Sequence, residues 1–388
     1  MPNTVYRALV SDYDPAAVDA AVEALFAALP IAATISANTK LLLKPNLLAK
    51  HPAAHAVTTH PEVLRAVIRA CKRRGALPAH ITVADSAGGL YNPVLMKQLY
   101  QGCGLAEVCA AEGVLAYTEC KSVVVPAVTP HVAQEFELLT PVVEADFIIN
   151  LPKLKTHVMT GLTAATKNLF GTIPGLKKAE WHTRFPDKPR FGDMLIDLYQ
   201  TVTPQINLLD AIIGMEGDGP AGGAPRTAGQ LLASADTLNL DLAAAHLIGL
   251  APMRVPYLAA AHARGLCADA FDPATLAGEV AGFAPLQGWK LPESYLSERA
   301  SVDFSNHAPR FLRPAAKKLL DAMAPRPVVR HADCIGCGKC AEICPQDTII
   351  LKDKKATIQK SNCIRCFCCH EMCPVKAIAV KKFRAFGL

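Results

Sequence analysis

Two stretches near the C-terminus decide the fold of that part of the chain: CIGCGKCAEICP at residues 334–345 and CIRCFCCHEMCP at residues 363–374. The second stretch aligns with the first at an offset of 29 residues. Both keep the spacing Cys-x2-Cys-x2-Cys-x3-Cys-Pro, and Ile335 and Glu342 recur as Ile364 and Glu371. The chain therefore contains an internal repeat organised around cysteine.

Each run resembles that of the bacterial two-cluster ferredoxins, in which the fourth cysteine ligates the other cluster. Three cysteines on a tight turn can wrap one corner of a cubane, and the proline after the fourth redirects the chain. The resemblance implies two [4Fe–4S] clusters. Their ligands would be Cys334, Cys337, Cys340 and Cys373 for the first cluster, and Cys363, Cys366, Cys369 and Cys344 for the second.

Zinc is the alternative occupant of such cysteines. Structural zinc sites use two separated Cys-x2-Cys pairs, which the repeated run does not match. Cys368 departs from the simple pattern and could replace Cys369 as a ligand. Only Cys369 keeps both spacings, so we predict that Cys368 is not a ligand.

The remaining composition favours a globular protein with clustered metal sites. The chain has 388 residues, 14 cysteines and 51% hydrophobic residues. It shows neither a secretory signal pattern nor an apolar window of membrane-spanning length. In such a chain, clustered cysteines favour metal binding over a disulfide framework. We therefore predict a cytoplasmic protein without a membrane span.

The positive charge is concentrated in the tail. Residues 326–388 hold 12 Lys and Arg against 5 Asp and Glu, whereas residues 1–325 hold 28 against 29. A basic tail can indicate nucleic-acid binding. Thiolate-ligated clusters, however, carry negative charge that these cations would offset. We therefore predict no nucleic-acid partner, and expect the lysines to help the tail dock.

The first part of the chain predicts an α/β fold: a largely parallel sheet with flanking helices, followed by a small α+β ferredoxin-like domain. Short apolar strands alternate with helical segments there. We place the α/β domain at 1–320, a proline-containing linker at 321–329 and the cluster domain at 330–388. The predicted strands are Val5–Val10, Leu41–Leu43, Ile81–Ala84, Phe147–Ile149 and Ile206–Leu209.

Polar or glycine-rich turns follow several of these strands. Ligands in open α/β sheets bind at the carboxyl ends of the strands, so we expect cofactor-binding residues in these turns. The turn at 85–89 follows a predicted strand and could cradle a phosphate or be a plain turn. The glycine-rich turn that contains Glu216 could serve acid–base chemistry, bind a cation or simply form a turn. The candidates are Asp85, Ser86, Gly88, Gly89 and Glu216.

The most concentrated polar segment runs from Asn150 to His182. Over residues 151–190 it contains eight Lys and Arg and two acids. We predict a helix at Thr160–Phe170, whose free N–H groups would favour an anion near its start. Lys153, Lys155 and His157 precede this start, and Lys167 and Asn168 would lie about two turns beyond it. We take Lys155 and His157 as catalytic candidates, with His157 as the proton donor. The alternative is a solvated basic face, or one that docks an acidic protein.

Several phrases along the chain resemble the domain-of-unknown-function 362 family. They are LLLKPNLL (41–48), VADSAGG (83–89), NLPKLKTHVMTGLTAATKNLFG (150–171), GMEGDGP (214–220) and LLASADTLNLD (231–241), followed by the two-cluster tail. The resemblance spans nearly the whole chain. It implies an iron–sulfur protein of a family whose activity is largely unassigned.

Taken together, the sequence favours an iron–sulfur oxidoreductase. Its clusters would relay single electrons between a partner protein and an anionic substrate or cofactor held by the α/β domain. The first alternative is a non-catalytic electron carrier or maturation protein whose α/β domain docks a partner enzyme. The second is an enzyme whose clusters are structural. Fusing the donor to the acceptor raises its local concentration, which favours the oxidoreductase.

Overall fold

The computed structural model of the chain describes residues 3–298 and 324–381. The predicted fold class is confirmed: a large, mostly parallel sheet flanked by helices precedes a small α+β module. No helix in these two ranges is long and apolar enough to cross a membrane.

One ten-stranded sheet organises the described part of the α/β domain, and a separate antiparallel hairpin, β5–β6, lies outside it. The strands are β1 (Val5–Leu9), β2 (Leu41–Pro45), β3 (Ile81–Val83), β4 (Leu115–Ala116), β5 (Ser122–Pro126), β6 (Glu135–Leu139), β7 (Phe147–Leu151), β8 (Lys153–His157), β9 (Gly161–Thr163), β10 (Ile206–Glu216), β11 (Ala224–Ser234) and β12 (Leu276–Gly278).

The strand order determines which strand ends meet at one edge of the sheet. The path is β12-β1-β11-β10-β7-β2-β3-β4, with β8 pairing β10 and β9 beside it. The run β10-β7-β2-β3-β4 is parallel. β2 and β7 are buried along their full length, as expected for parallel strands covered on both faces. The carboxyl ends of these strands therefore lie at one edge of the sheet.

Helices cover both faces of the sheet and create two apolar layers. Val22, Val67 and Tyr100 belong to the layer on one face, and Phe191, Leu240 and Tyr257 to the layer on the other. The helices of the domain are α1 (Pro15–Ala28), α2 (Pro61–Arg73), α3 (Pro93–Gly102), α4 (Leu105–Glu112), α5 (Thr140–Glu144), α6 (Ala165–Asn168), α7 (Lys177–Arg184), α8 (Lys188–Val202), α9 (Thr237–Leu247), α10 (Pro256–Ala263) and α11 (Glu293–Glu298).

The predicted helix Thr160–Phe170 is wrong. Residues Gly161–Thr163 form β9, α6 covers only Ala165–Asn168, and Leu169–Thr172 is a single 3-10 turn. Gly161 has a φ of +78°, a left-handed conformation that glycine adopts without steric cost. It allows the chain to turn from β8 back along β9. The start of the basic segment is thus folded into the sheet as β8 and β9, and the predicted helix start for an anion does not exist.

The C-terminal module contains two antiparallel strand pairs and two short helices. Strand β13 (Arg326–Val329) pairs with β16 (Ile378–Lys381), and β14 (Ile349–Lys352) pairs with β15 (Lys355–Ile358). Helices α12 (Lys339–Glu342) and α13 (Cys368–Glu371) follow the cysteine loops. Of the predicted linker 321–329, residues 326–329 form β13, and residues 321–323 lie outside the described residues.

The repeat seen in the sequence is also a repeat in backbone conformation. An offset of 29 residues maps β13 onto β15, α12 onto α13 and β14 onto β16. It also maps the left-handed residues Gly336 and Gly338 onto Arg365 and Phe367, which have φ values of +58° and +63°. The second half therefore keeps the loop geometry although it has replaced both glycines.

Candidate functional site

The eight cysteines of the two runs line two cavities in the C-terminal module. A cavity of about 350 Å³ is lined by Cys334, Cys337, Cys340 and Cys373, and one of about 320 Å³ by Cys344, Cys363, Cys366 and Cys369. Each cavity takes three cysteines from one run and the fourth from the other. We call them the first and second cysteine cavities.

The chemistry of both cavities fits an iron–sulfur cluster. Their other walls are mostly apolar, and backbone N–H groups point at the sulfurs. Ala377 N donates to Cys373 Sγ at 3.1 Å, and Thr348 N donates to Cys344 Sγ at 3.4 Å. Ala356 N donates to Cys334 Sγ at 3.5 Å and is the main reason that the pKa of Cys334 lies below its usual value. Such hydrogen bonds stabilise thiolate ligands and tune cluster potentials.

Cys368 lies between the second cysteine cavity and the α/β domain. It lines the second cysteine cavity, but under the 29-residue offset its counterpart is Lys339, whereas Cys369 corresponds to Cys340. Its side chain is buried and packs with Ala179 and Ile343 in an apolar cluster at the junction of the two domains. The hydrogen bond with the neighbouring Cys366 and, after it, burial raise the pKa of Cys368 well above its usual value.

A third cavity, of about 670 Å³, lies between the α/β domain and the cluster module. We call it the interface cavity. The carboxyl ends of β2 and β3, strand β8, the segment 163–182 and helix α13 all contribute to it. Its lining residues include Asn46, Leu48, Asp85, Ser86, Gly88, Lys155, His157, Thr163, Lys167, Asn168, Phe170, Gly171, Lys178, Ala179, His182, Pro220, Ile343, Cys368, Glu371 and Met372.

Three lysines give the interface cavity its positive character. Lys155 is fully buried and donates to Asn46 Oδ1 and to the carbonyl oxygen of Val57, both at 2.7 Å. Lys178 donates to Ser86 Oγ at 2.9 Å, and Lys167 lies over the ring of Phe170. No ion pair to any of the three occurs in residues 3–298 and 324–381. Burial lowers the pKa of Lys155 and of Lys178 to about 7.

A directed chain of side-chain hydrogen bonds holds Lys155 in place. Beyond Asn46, each amide donates to the next along the chain at 2.8 Å: Asn46 to Asn168, Asn168 to Asn150, and Asn150 to Asn207. Asn207 then donates to Thr237 Oγ1 at 3.0 Å. Every donor therefore points away from the lysine, so the oxygen of Asn46 faces its ammonium group. We refer to these residues as the amide chain.

Two carboxylates line the interface cavity, and each faces a specific partner. Asp85 pairs with Lys44 at 2.9 Å. Glu371 of the cluster module lies 3.2 Å from His157 Nε2 across the domain junction. Because His157 Nδ1 accepts N–H bonds from Met159 and Thr160, the proton of the neutral ring belongs on Nε2, the ring nitrogen next to Glu371. Burial lowers the pKa of His157, although Glu371 opposes this.

Seven of the ten predicted site residues line the interface cavity, and three do not. Lys153 lies outside because β8 changes register against β10 between Lys153 and Lys155. Its ammonium group is 2.8 Å from Asp210 and 2.6 Å from the hydroxyl of Tyr13. The seven that line the cavity are Asp85, Ser86, Gly88, Lys155, His157, Lys167 and Asn168.

The other two predicted residues lie close to the cavity or form other contacts. Gly89 lies next to Met372 but outside the lining. Glu216 accepts hydrogen bonds from Arg226 Nη1 at 2.7 Å and from Lys290 N at 3.0 Å. Gly88 has a role that depends on its size, because a Cβ there would lie 2.9 Å from Met372 Sδ. It allows the cluster module to approach the loop after β3.

Sequence reasoning missed several lining residues from distant parts of the chain. Glu371 carried one usable signal, since it is one of the residues retained in the repeat. Asn46 directly follows β2 in a polar turn, the kind of position in which we expected cofactor-binding residues. Lys178 and His182 lie within the polar segment Asn150–His182, but other residues of that segment were taken as the candidates. Nothing in the sequence indicated that Cys368 reaches the interface cavity.

Comparison with known families decides the classification. Residues 41–246, more than half of the chain, match the family described as "Domain of unknown function (DUF362)". The chain belongs to the DUF362 family. In this DUF362 protein, residues 333–377 also match a family described as "4Fe-4S dicluster domain". Both assignments confirm the resemblances found in the sequence.

Similar proteins add limited information about this DUF362 protein. It is 32% identical over 289 residues to the "Thylakoid-associated protein sll1697" of Synechocystis, a match that covers 73% of this chain and 84% of that protein. A crystal structure of a protein from Thermotoga maritima matches 57% of this chain and 55% of that chain, with 12% identity and a TM-score of 0.34. The likeness to that structure is weak.

Proposed function

We propose that this DUF362 protein is an iron–sulfur oxidoreductase that reduces or oxidises a small anionic molecule in the interface cavity. The observation that carries the proposal is the position of Cys368, which lines both the interface cavity and the second cysteine cavity. A molecule bound in the interface cavity would therefore lie next to the second cluster. We also propose a cytoplasmic location; the relative in Synechocystis is named as thylakoid-associated.

The crossed cysteine sets support two cluster sites. Cys334, Cys337 and Cys340 would hold the first cluster together with Cys373, and Cys363, Cys366 and Cys369 would hold the second together with Cys344. When bound, [4Fe–4S] clusters supply single electrons. In each run the third and fourth cysteines are four residues apart, so each run joins the two cluster sites over a short stretch of chain.

The charge balance of the interface cavity supports an anionic ligand. Asp85 and Glu371 face Lys44 and His157, respectively, which leaves Lys155, Lys167 and Lys178 without a carboxylate of their own among the described residues. Holding cations in a poorly hydrated site is costly unless an anion pairs with them. A carboxylate or phosphate would provide that pairing.

The remaining lining residues describe the rest of the ligand. Phe170, Met372 and Ile343 add apolar surface to the lining, and Lys167 lies over the ring of Phe170. Buried His182 keeps a neutral ring, since burial lowers its pKa to about 3, and its Nδ1 has no partner among the described residues. A small organic acid or phosphorylated metabolite with an apolar part matches these features.

Lys155 is a better proton donor than His157. The ring of His157 is fixed by two N–H bonds to Nδ1, and its Nε2 lies 3.2 Å from Glu371. Its role is therefore to orient Glu371 and to connect the two domains. Lys155 has a pKa of about 7 and lines the same cavity, so it can give or take a proton near neutral pH. This revises the assignment made from the sequence.

The test begins with anaerobically purified protein and mass spectrometry of the small molecules it retains. The compound found is then added to dithionite-reduced protein, and reoxidation of the clusters is followed by visible absorption. We expect reoxidation in the native protein and at least a tenfold loss of rate in Lys155→Met and Lys167→Met. Lys40→Met, at an exposed position, is the matched control.

The same experiment separates the oxidoreductase from the electron carrier. Unchanged reoxidation in Lys155→Met, with iron content retained, refutes catalysis in the interface cavity. A carrier would bind a partner enzyme through the exposed surface of the α/β domain, and substitution of the buried Lys155 would then leave cluster reoxidation unchanged.

A further inference from the structure

Two apolar positions that are equivalent in the two halves of the cluster module, Ile335/Ile364 and Leu351/Val380, have different surroundings. In the second half, Phe367 and Val380 pack against Val158 of the α/β domain. Leu351 is the counterpart of Val380 in the first half, and 47% of its surface is exposed. Ile335, the counterpart of half-buried Ile364, is 61% exposed. One half is therefore covered by its own chain, and the equivalent face of the other is open.

The open face lies directly over the first cysteine cavity. Ile335, Leu351 and Val375 all line that cavity and are 61%, 47% and 39% exposed. Cys337 beside them is also exposed. We call this surface the open cluster face. An exposed apolar group of this kind, next to a redox site, marks an interaction surface.

Lysines surround the open cluster face. Lys352 and Lys354 lie in the exposed β14–β15 hairpin with a single acid, Asp353, between them. The hairpin is held against the first cysteine loop, because Lys355 Nζ donates to the carbonyl oxygen of Cys334 at 2.6 Å. Exposed Lys339 follows Gly338, where a Cβ would lie 3.4 Å from Leu351. The rim of the face is therefore cationic.

We propose that the open cluster face docks an acidic one-electron donor protein. In this step the donor's reduced centre loses one electron and the clusters of the module gain one; no bond or proton is transferred. Positive rims steer negatively charged partners and accelerate encounter. A second copy of the chain is a poorer match, since residues 1–325 hold 28 basic and 29 acidic residues and so carry a net charge of only −1. The inference rests on the clusters of the proposed function, but not on the ligand of the interface cavity.

The probe for the test is a plant-type [2Fe–2S] ferredoxin, which is acidic and transfers one electron. Its binding to the holoprotein is measured with both proteins oxidised, and cluster reduction by the reduced ferredoxin is followed by stopped flow. We expect Lys352→Glu with Lys354→Glu to weaken binding and slow reduction by about tenfold at low salt. Higher salt should also weaken the binding of ferredoxin to the native protein. Lys339→Glu provides a second, single variant.

The control variant is Lys40→Glu with Lys97→Glu, which makes the same charge change at exposed positions of the α/β domain. Dithionite should reduce all variants alike, and EPR of the reduced protein shows that the clusters are intact. The proposal is overturned if the control variant loses as much ferredoxin binding and reduction rate as the hairpin variant. It is also overturned if ferredoxin does not reduce the native protein at low salt. If the native protein self-associates and the variant with Lys352→Glu and Lys354→Glu does not, the open cluster face binds a second copy of the chain instead. Lys155→Met should leave ferredoxin binding unchanged, so a failure of this inference is distinguishable from a failure of the proposed function.

Discussion

Lys155→Met should change how the stability of the protein depends on pH. Lys155 is fully buried and its ammonium group is held by Asn46 and Val57. Burial lowers its pKa from 10.5 to about 7. Between these two values the unfolded chain binds a proton at this lysine and the folded chain largely does not. The contribution of Lys155 to the free energy of unfolding therefore rises with pH.

The magnitude follows from the two pKa values. The lowering from 10.5 to about 7 corresponds to about 5 kcal/mol when the whole range is crossed. Between roughly pH 6.5 and 9.5 the expected change is about 3 kcal/mol. Methionine cannot titrate and has a similar length, so it removes this dependence. It also leaves Asn46 Oδ1 and Val57 O without their donor, which costs about 1–3 kcal/mol at every pH.

The assay is equilibrium urea unfolding under anaerobic conditions, followed by circular dichroism at several pH values. The quantity to plot is the free energy of unfolding of the native protein minus that of Lys155→Met, because contributions from the clusters and from other titrating groups cancel in it. We expect this difference to increase by about 3 kcal/mol from pH 6.5 to 9.5. Lys40→Met, exposed on the surface, should give a flat difference. A flat curve for Lys155→Met as well would show that Lys155 keeps its proton, and would remove the basis for its role as a proton donor.

Three further predictions concern the cluster module. Anaerobic protein should contain roughly eight irons and eight sulfides per chain, and stoichiometric zinc in metal analysis would contradict this. In Cys373→Ala, alkylation and mass spectrometry should find Cys334, Cys337 and Cys340 reactive but Cys363, Cys366 and Cys369 protected; the reverse pattern would refute the crossed assignment, and Cys368→Ala should keep its iron. Deleting residues 326–388 should leave a folded sheet, because the residues of both apolar layers belong to the α/β domain itself. Exposure of apolar surface to a dye is expected where the module is removed. Loss of the circular dichroism signal would instead show that the domain needs the module to fold.

The parts of the fold that depend on local pattern could be predicted from the sequence. The strands near Leu41, Ile81, Phe147 and Ile206 all exist, because short apolar runs bounded by turns are a local signal. The cysteine runs are equally local, and their spacing carries over into the two cysteine cavities. The helix predicted for residues 160–170 is wrong because strand pairing, which is not a local signal, determines the structure of that segment. Its residues favour a helix weakly, whereas β8 offers β9 a partner and Gly161 provides the turn.

The candidate site was predicted as a set of residues and not as an arrangement. Lys155 and His157 were identified from their cationic neighbourhood, but their partners Asn46 and Glu371 are distant in the sequence. Burial of a lysine is decided by such partners and cannot be read from the segment itself. The position of the cavity between two domains follows from how those domains dock, which Gly88, Ile343 and Cys368 determine through close packing. None of these three residues carries a local signal for that role.

The amide chain has a consequence for how this family can vary. An asparagine in its interior both accepts and donates, so replacing Asn168 by aspartate would remove the donor to Asn150 and place a negative charge beside Asn46. Rotating one amide by half a turn would set oxygen against oxygen and nitrogen against nitrogen unless its neighbours rotated too. The four asparagines therefore act as a single hydrogen-bonded unit whose direction is set by Lys155 at one end and Thr237 at the other. An alignment of relatives should show Asn46, Asn150, Asn168 and Asn207 retained together or exchanged together, and lineages that have lost the lysine should be the ones in which the amides diverge.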